Sequence, residues 1–220
     1  MTSRFPLSEA SNGEEARQTI EKALATMHGG APPFTWVEED GSALLGCYGP
    51  LRYLSIVTMT IFSPSPACDV SFFADAQPRN SYSSELTKHF FEMAKVVYKP
   101  GTVKPRNREL VILGLVSIVN APYAVYCHRH VGHKVSLTDE QMSDAMAGRV
   151  PKGLTDEESL SYRLGRELTT LNGPLSEELW KEVTSKLSKE EFVGIANTVA
   201  GYKWVTLLEN CNGDTRTWKE

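Results

Sequence analysis

The chain is predicted to be all-α, one domain of helices with an irregular N-terminal part. Apolar residues recur at helical spacing wherever a clear pattern exists. Thr138 with Gln141, Thr155 with Glu158 and Ser188 with Glu191 form capping boxes, in which each Ser/Thr side chain and the Glu/Gln three residues on satisfy free N–H groups at a helix start. Only Leu51 to Phe62 (LRYLSIVTMTIF) has the β-branched and aromatic composition of a strand. A lone strand has no partner to pair with, and helical surroundings can override propensity, so this stretch is read as helix.

The elements follow in order. Residues 1 to 11 read as a loose tail. Asn12-Gly13 starts a helix to about Met27, with Ala16, Ile20, Ala23, Leu24 and Met27 on one stripe and Gly29-Gly30 ending it. The stripe is narrow, which predicts a surface helix. From Ala31 to Pro78, Pro and Gly interrupt every pattern. Ser83 or Ser84 caps a helix to about Tyr98, with Leu86, Phe90, Met93 and Val97 on one face, and Lys99-Pro100-Gly101 breaks it.

Residues 107–119 and 122–135 form a central helical pair. Leu110 to Val119 is apolar almost throughout, which alone fits a buried helix or a buried strand. Its length and flanks favour the helix, and Pro122 suits the first position of the next one, where its missing N–H costs nothing. Helices follow at about 138–147, 155–171, 176–187 and 188–210, and the polar tail after Cys211 frays. The core of the domain is thus expected at about 83–210, with residues 1–82 as its irregular N-terminal extension.

A chain of 220 residues fits one domain with a substantial core. A hydrophobic share of 41% with 23% charged residues is that of a globular protein. A net charge of −4, a pI near 5.8 and no basic cluster argue against nucleic acid as a partner. Cys47, Cys68, Cys127 and Cys211 lie far apart without a C-x-x-C, which points to a reducing compartment. The first residues have no apolar core, and no run approaches the ~18 apolar residues of a membrane span, so a cytoplasmic protein is expected.

The stretch Arg106 to Thr138 sets ionisable side chains beside the apolar run: Glu109, Tyr123, His128, His130 and His133. His128 has a plain reading, a core histidine bonded to a carbonyl, and Glu109 has one as well, a charge favoured near a helix N-terminus. His130 and His133 share a helix face, but His128 is turned ~200° from His130, and no third ligand is placed by a motif, so no metal is expected. Cys127 reads as packing. Arg106 and Arg108 suit a substrate carboxylate, although arginines near a helix start are more often solvated. Tyr123 and Tyr126 either line a pocket or pack. A strict hairpin turning near Ala121 would leave Glu109 ~18 Å and His128 ~10 Å from the turn, a mismatch that an early helix end or a water must absorb.

The pattern REL-V-I-L, a turn, Tyr123 and then His128 five residues on resembles the carboxymuconolactone decarboxylase / AhpD-like family over residues 105 to 148, and more weakly to about residue 210. Its peroxidase branch reads E-x11-C-x-x-C-x-x-x-H. Glu109 and His128 stand at the Glu and His positions, and Ala121 and Ala124 stand where that branch has its cysteines. Decarboxylase-type members read Y-E-W-x-x-H; this chain keeps Tyr123 and His128 and has Ala124 and Val125 in place of Glu and Trp.

The resemblance implies an AhpD-like helical bundle and a cofactor-independent lyase or isomerase acting on a small carboxylated, lactone or enol substrate. It makes His128 the acid/base and Glu109 its orienter or a second base. Tyr123, Arg108 and Tyr126 become substrate-binding residues. Self-association as a trimer or a multiple of one is implied, with Trp180, Phe192 and Trp204 as candidate apolar contacts. The changes at Ala124 and Val125 suit a specialised, biosynthetic substrate better than ordinary aromatic catabolism. Two rival readings remain: a non-catalytic binding or assembly protein on the same fold, and a thiol peroxidase, which lacks its thiols.

Overall fold

A computed structural model gives the fold, and it describes residues 13–48, 82–98 and 102–213. Its elements are α1 Gly13–His28, α2 Tyr82–Tyr98, α3 Pro105–Val116, α4 Pro122–Lys134, α5 Asp139–Met146, α6 Asp156–Thr170, α7 Glu177–Lys186 and α8 Lys189–Asn212. Among the described residues there is no strand, only an isolated bridge between Val37 and Leu44. The fold is all-α. The stretch read as a helix over Leu51 to Phe62 lies outside the described residues.

All three capping boxes are present at the starts of α5, α6 and α8. Ser176 caps α7 by accepting from the Leu179 N–H. These local hydrogen bonds satisfy helix-end groups that nothing else would pair, which is why their positions agree with the sequence.

Helix α3 is the axis of the main core. Leu110, Val111, Ile112, Leu113 and Leu115 are fully buried, packed with Leu160, Tyr162 and Leu164 of α6 and Ile195 and Val199 of α8. Its contact with α6 runs backbone to backbone. A Cβ on Gly165 would collide with the Val111 carbonyl, and one on Gly114 with the Tyr162 carbonyl. Glycine is what lets the two helices approach this closely.

A second core forms where Ile20, Ala23 and Leu24 of α1 meet Phe34, Leu44, Leu45 and Tyr48 of the connecting segment, Phe91 of α2, and Tyr123 and Cys127 of α4. Helix α1 is a surface helix as expected, with Glu14, Gln18, Glu21, Lys22 and Thr26 exposed and only its stripe buried. Its narrow stripe is covered by α2 and by residues 34–48, whose irregular backbone carries no period from which burial could be read. Gly46 touches this core closely: a side chain there would overlap the Tyr123 ring. On α2 Phe91 is buried, while Met93 stays half exposed at 49%.

The central pair differs from expectation most at the end of its first helix. Helix α3 starts at Pro105 and ends at Val116, not Val119. The chain tightens there through Ile118 N–H to Leu115 C=O, and the Ser117 hydroxyl bonds the Gly114 carbonyl. Trp180 and Phe192 meet each other at 5.4 Å, and Trp204 lies against Phe90 at 4.2 Å between centroids, so all three aromatics are engaged within the chain. The exposed apolar side chains are instead Met93, Val96, Val193 and Leu207, among others.

Gly165→Ala is expected to destabilise the protein by about 1–3 kcal/mol or more, because the added methyl meets main chain that cannot rotate away. Urea denaturation would measure it, with Gly201→Ala as the control, since a Cβ at Gly201 meets nothing within 4 Å.

Candidate functional site

The site is built by α4, which lies between the two cores. Pro122 opens the helix, and Ala121 before it has no side chain to cap with. The cap comes from far along the chain: the buried Glu209 of α8 accepts the Tyr123 N–H at 2.7 Å and the Ala124 N–H at 3.1 Å. A carboxylate there satisfies free N–H groups and meets the positive end of the helix dipole. At the other end, Ser136 takes a left-handed conformation with φ 61°, and the Leu137 N–H reaches back to the Gly132 carbonyl.

Both ends fixed, α4 brings His128 level with Glu109. From Glu109 to the end of α3 is ~10 Å and from Pro122 to His128 is ~9 Å at 1.5 Å per residue, so the mismatch of the strict hairpin disappears with the early end of α3. His128 Nδ1 lies 2.7 Å from Glu109 Oε1, with both residues buried. Glu109 is one turn inside α3, beyond the reach of the helix N-terminus, so its plain reading as a terminal charge does not hold. A carboxylate only accepts, so Nδ1 carries a proton, and in the neutral ring Nε2 is the lone-pair nitrogen.

His128 lines a cavity of about 100 Å³ between α1, α2, α4 and α8. Its wall is mainly apolar, from Leu24, Phe34, Phe91, Val97 and Val131 among others. Polar side chains line it too, Tyr98, Thr198, Tyr202 and Glu209 among them. The Tyr202 ring packs on His128 at 5.0 Å, and the Tyr202 hydroxyl bonds the Tyr98 hydroxyl at 2.5 Å. Burial pushes Tyr98 up to about 12 and Tyr202 above the ordinary phenol range, so both stay protonated at neutral pH.

Of the residues expected to bind substrate, Tyr123 lines the cavity with its ring, while its hydroxyl donates to the Thr35 carbonyl at 2.8 Å. Tyr126 is not among the lining residues. Its hydroxyl accepts the Thr35 N–H, because the side chain leaves α4 toward the N-terminal segment. Arg108 also stays outside the wall. It is buried with its guanidinium 4.0 Å over the Tyr98 ring, and its Nη1 has no hydrogen-bond partner among the described residues.

Arg106 is engaged with Glu158, Gln141 and the Val135 and Ser136 carbonyls, a clamp between helices, and is not among the cavity's lining residues. His130 bonds the Tyr126 carbonyl and His133 faces Asp139 at 3.4 Å. Among the described residues, no group of His, Cys, Asp and Glu could hold a metal ion. Burial pushes the Cys127 and Cys47 thiols well above their ordinary values, which removes thiolate character from both.

Tyr98, Tyr202, Glu209 and His28 joined the site without being singled out in the sequence. They sit on other helices, outside the stretch from Arg106 to Thr138, and only the packing brings them in. Comparisons with protein-family models, curated proteins and solved structures find no match. No helix among the described residues is long and apolar enough to cross a membrane.

His28 closes the cavity from α1, edge-on to Phe34 at 5.3 Å. Burial, helped by the charges of Lys134 and Arg108, lowers its pKa to about 4. The unfolded chain then binds a proton that the folded one does not between pH ~6.5 and about 4. This contribution to stability is complete above that window and declines as the pH falls through it. Denaturation midpoints at pH 7 and pH 5 should differ more for the wild type than for His28→Gln; equal differences would remove His28 from the acid response.

Proposed function

We propose that the protein is a cofactor-independent lyase or isomerase, resembling carboxymuconolactone decarboxylase, that moves a proton on a small carboxylated, lactone or enol substrate. The observation that carries the reading is the buried Glu109–His128 pair on the wall of an apolar cavity, with Nδ1 bound and Nε2 making no hydrogen bond among the described residues. A carboxylate behind an imidazole holds the ring in one tautomer and favours the protonated ring once a proton arrives, which is the equipment of a general acid/base. In a decarboxylation, His128 would protonate the carbanion left by CO2; in an isomerisation it would remove a proton and return it elsewhere. The absent thiols at Ala121 and Ala124 and the protonated state of Cys127 and Cys47 weigh against a peroxidase. A specialised biosynthetic substrate, a cytoplasmic setting and a trimer or a multiple of one belong to the same proposal. Light scattering at micromolar concentration tests the last, and a monomer would refute it.

A panel of small lactones, β-keto acids and enones, followed by NMR without added metal, tests the activity. His128→Ala is expected to lower turnover by ~10²–10⁴ with the fold intact. Glu109→Gln keeps the shape, removes the charge and should also lower turnover. Compounds that bind but are never converted would favour a non-catalytic binding protein on this fold.

A further inference from the structure

We infer that the cavity takes an uncharged carbonyl compound, of the lactone or enone class, and that the Tyr98–Tyr202 hydroxyl pair holds its oxygen. This rests on the acid/base reading of His128 and narrows its substrate.

The first ground is a count of protons. Two hydroxyls carry two protons, and the mutual bond at 2.5 Å uses one. Neither hydroxyl has another hydrogen-bond partner among the described residues. One O–H is therefore left to donate, and both tyrosines line the cavity, with Tyr202 against His128. A lone carbonyl oxygen is the acceptor such a donor completes.

The second ground is charge. The lining residues described include no lysine or arginine, and His28 is neutral near pH 7. Arg108 is stacked behind Tyr98 and does not reach the wall. The acidic groups at this place are Glu209 in the wall and Glu109 behind His128. A carboxylate entering the cavity would lose its water and meet no lysine or arginine among the lining residues described, whereas an uncharged carbonyl needs only the one donor.

The two sites together define a reaction. His128 Nε2 takes a proton from a carbon made acidic by the carbonyl. The C–H electron pair becomes the new C=C bond and the carbonyl π pair moves onto oxygen, where the tyrosine O–H receives the developing charge. The same proton returns from His128 to another carbon of the conjugated system. The carbonyl re-forms, and the product is an isomer with the double bond moved.

Cyclohex-2-enone and cyclohex-1-ene-1-carboxylate serve as probes of similar size, with binding followed by ligand-observed NMR at pH 7. The enone is expected to bind about tenfold more tightly, and the infrared carbonyl stretch of the bound enone should move to lower wavenumber. Equal or tighter binding of the carboxylate, binding of neither, or an unshifted stretch would overturn the inference. Tyr98→Phe and Tyr202→Phe should each keep the preference, because each frees the other hydroxyl's proton, while the double variant loses it. A preference that persists in a folded double variant overturns the tyrosine assignment. His128→Gln should keep the preference but lose exchange of the enone's γ-protons with D2O. If the wild type shows the preference and no exchange, the acid/base reading fails and the carbonyl site stands.

Discussion

One hydrogen bond, from the imidazole of His128 to the carboxylate of Glu109, sets the geometry on which the centre of the molecule depends. It joins two buried residues on different helices. A buried polar pair stabilises little against an apolar one of the same shape, yet a register that separated the partners would leave both buried and unpaired, so the pair favours the one register in which the two helices bring them together. That register follows from α3 ending at Val116 and α4 beginning at Pro122, and the five-residue connection between them is tied down by the Ser117 hydroxyl and the turn at Leu115. The apolar run around Glu109 supplies rigidity: with Leu110 to Leu113 buried on all sides, α3 cannot rotate to carry the carboxylate elsewhere.

Helix α4 is held by polar groups where α3 is held by apolar ones. It borders two cores, contributing Ala124 to one and Tyr123 and Cys127 to the other. A helix between two cores leaves a seam, and the cavity opens along it. The cap from Glu209 joins α8 to the start of α4, and Asn212 on the same helix donates to the Gly46 carbonyl at 2.9 Å. The end of α8 thus anchors both α4 and the segment that covers the cavity. The roof and floor of the site belong to one hydrogen-bonded unit.

Much of this was legible in the chain. Capping boxes and the Pro/Gly punctuation are local, so Thr138, Thr155 and Ser188 start their helices where the residues say they should. The pair Glu109 and His128 was visible as a pattern, though only the early end of α3 makes it a contact, and helix ends are set by tertiary hydrogen bonds that spacing does not carry. Tyr98, Tyr202 and Glu209 were not visible, because a tyrosine or glutamate on an amphipathic helix reads the same whether its tip finds water or a buried partner. Arg106 and Arg108 show the limit most plainly. Two residues apart on one helix, they turn to different neighbours, one to four polar partners and the other to the face of a tyrosine.

Arg108 also explains how an apolar cavity can keep a useful donor. Its guanidinium lies on the Tyr98 ring 4.0 Å from the centroid, where a cation attracts the electrons of the π face. That charge acts against the burial and the Glu109 carboxylate that raise Tyr98, yet these remain the larger effects, and the phenol stays protonated at about 12. A neutral phenol with a cation on its ring is a stronger hydrogen-bond donor than the same buried phenol without one. The positive charge thus serves the cavity without entering it: an arginine in the wall would select anions, whereas one behind the ring strengthens an O–H that an uncharged oxygen can use.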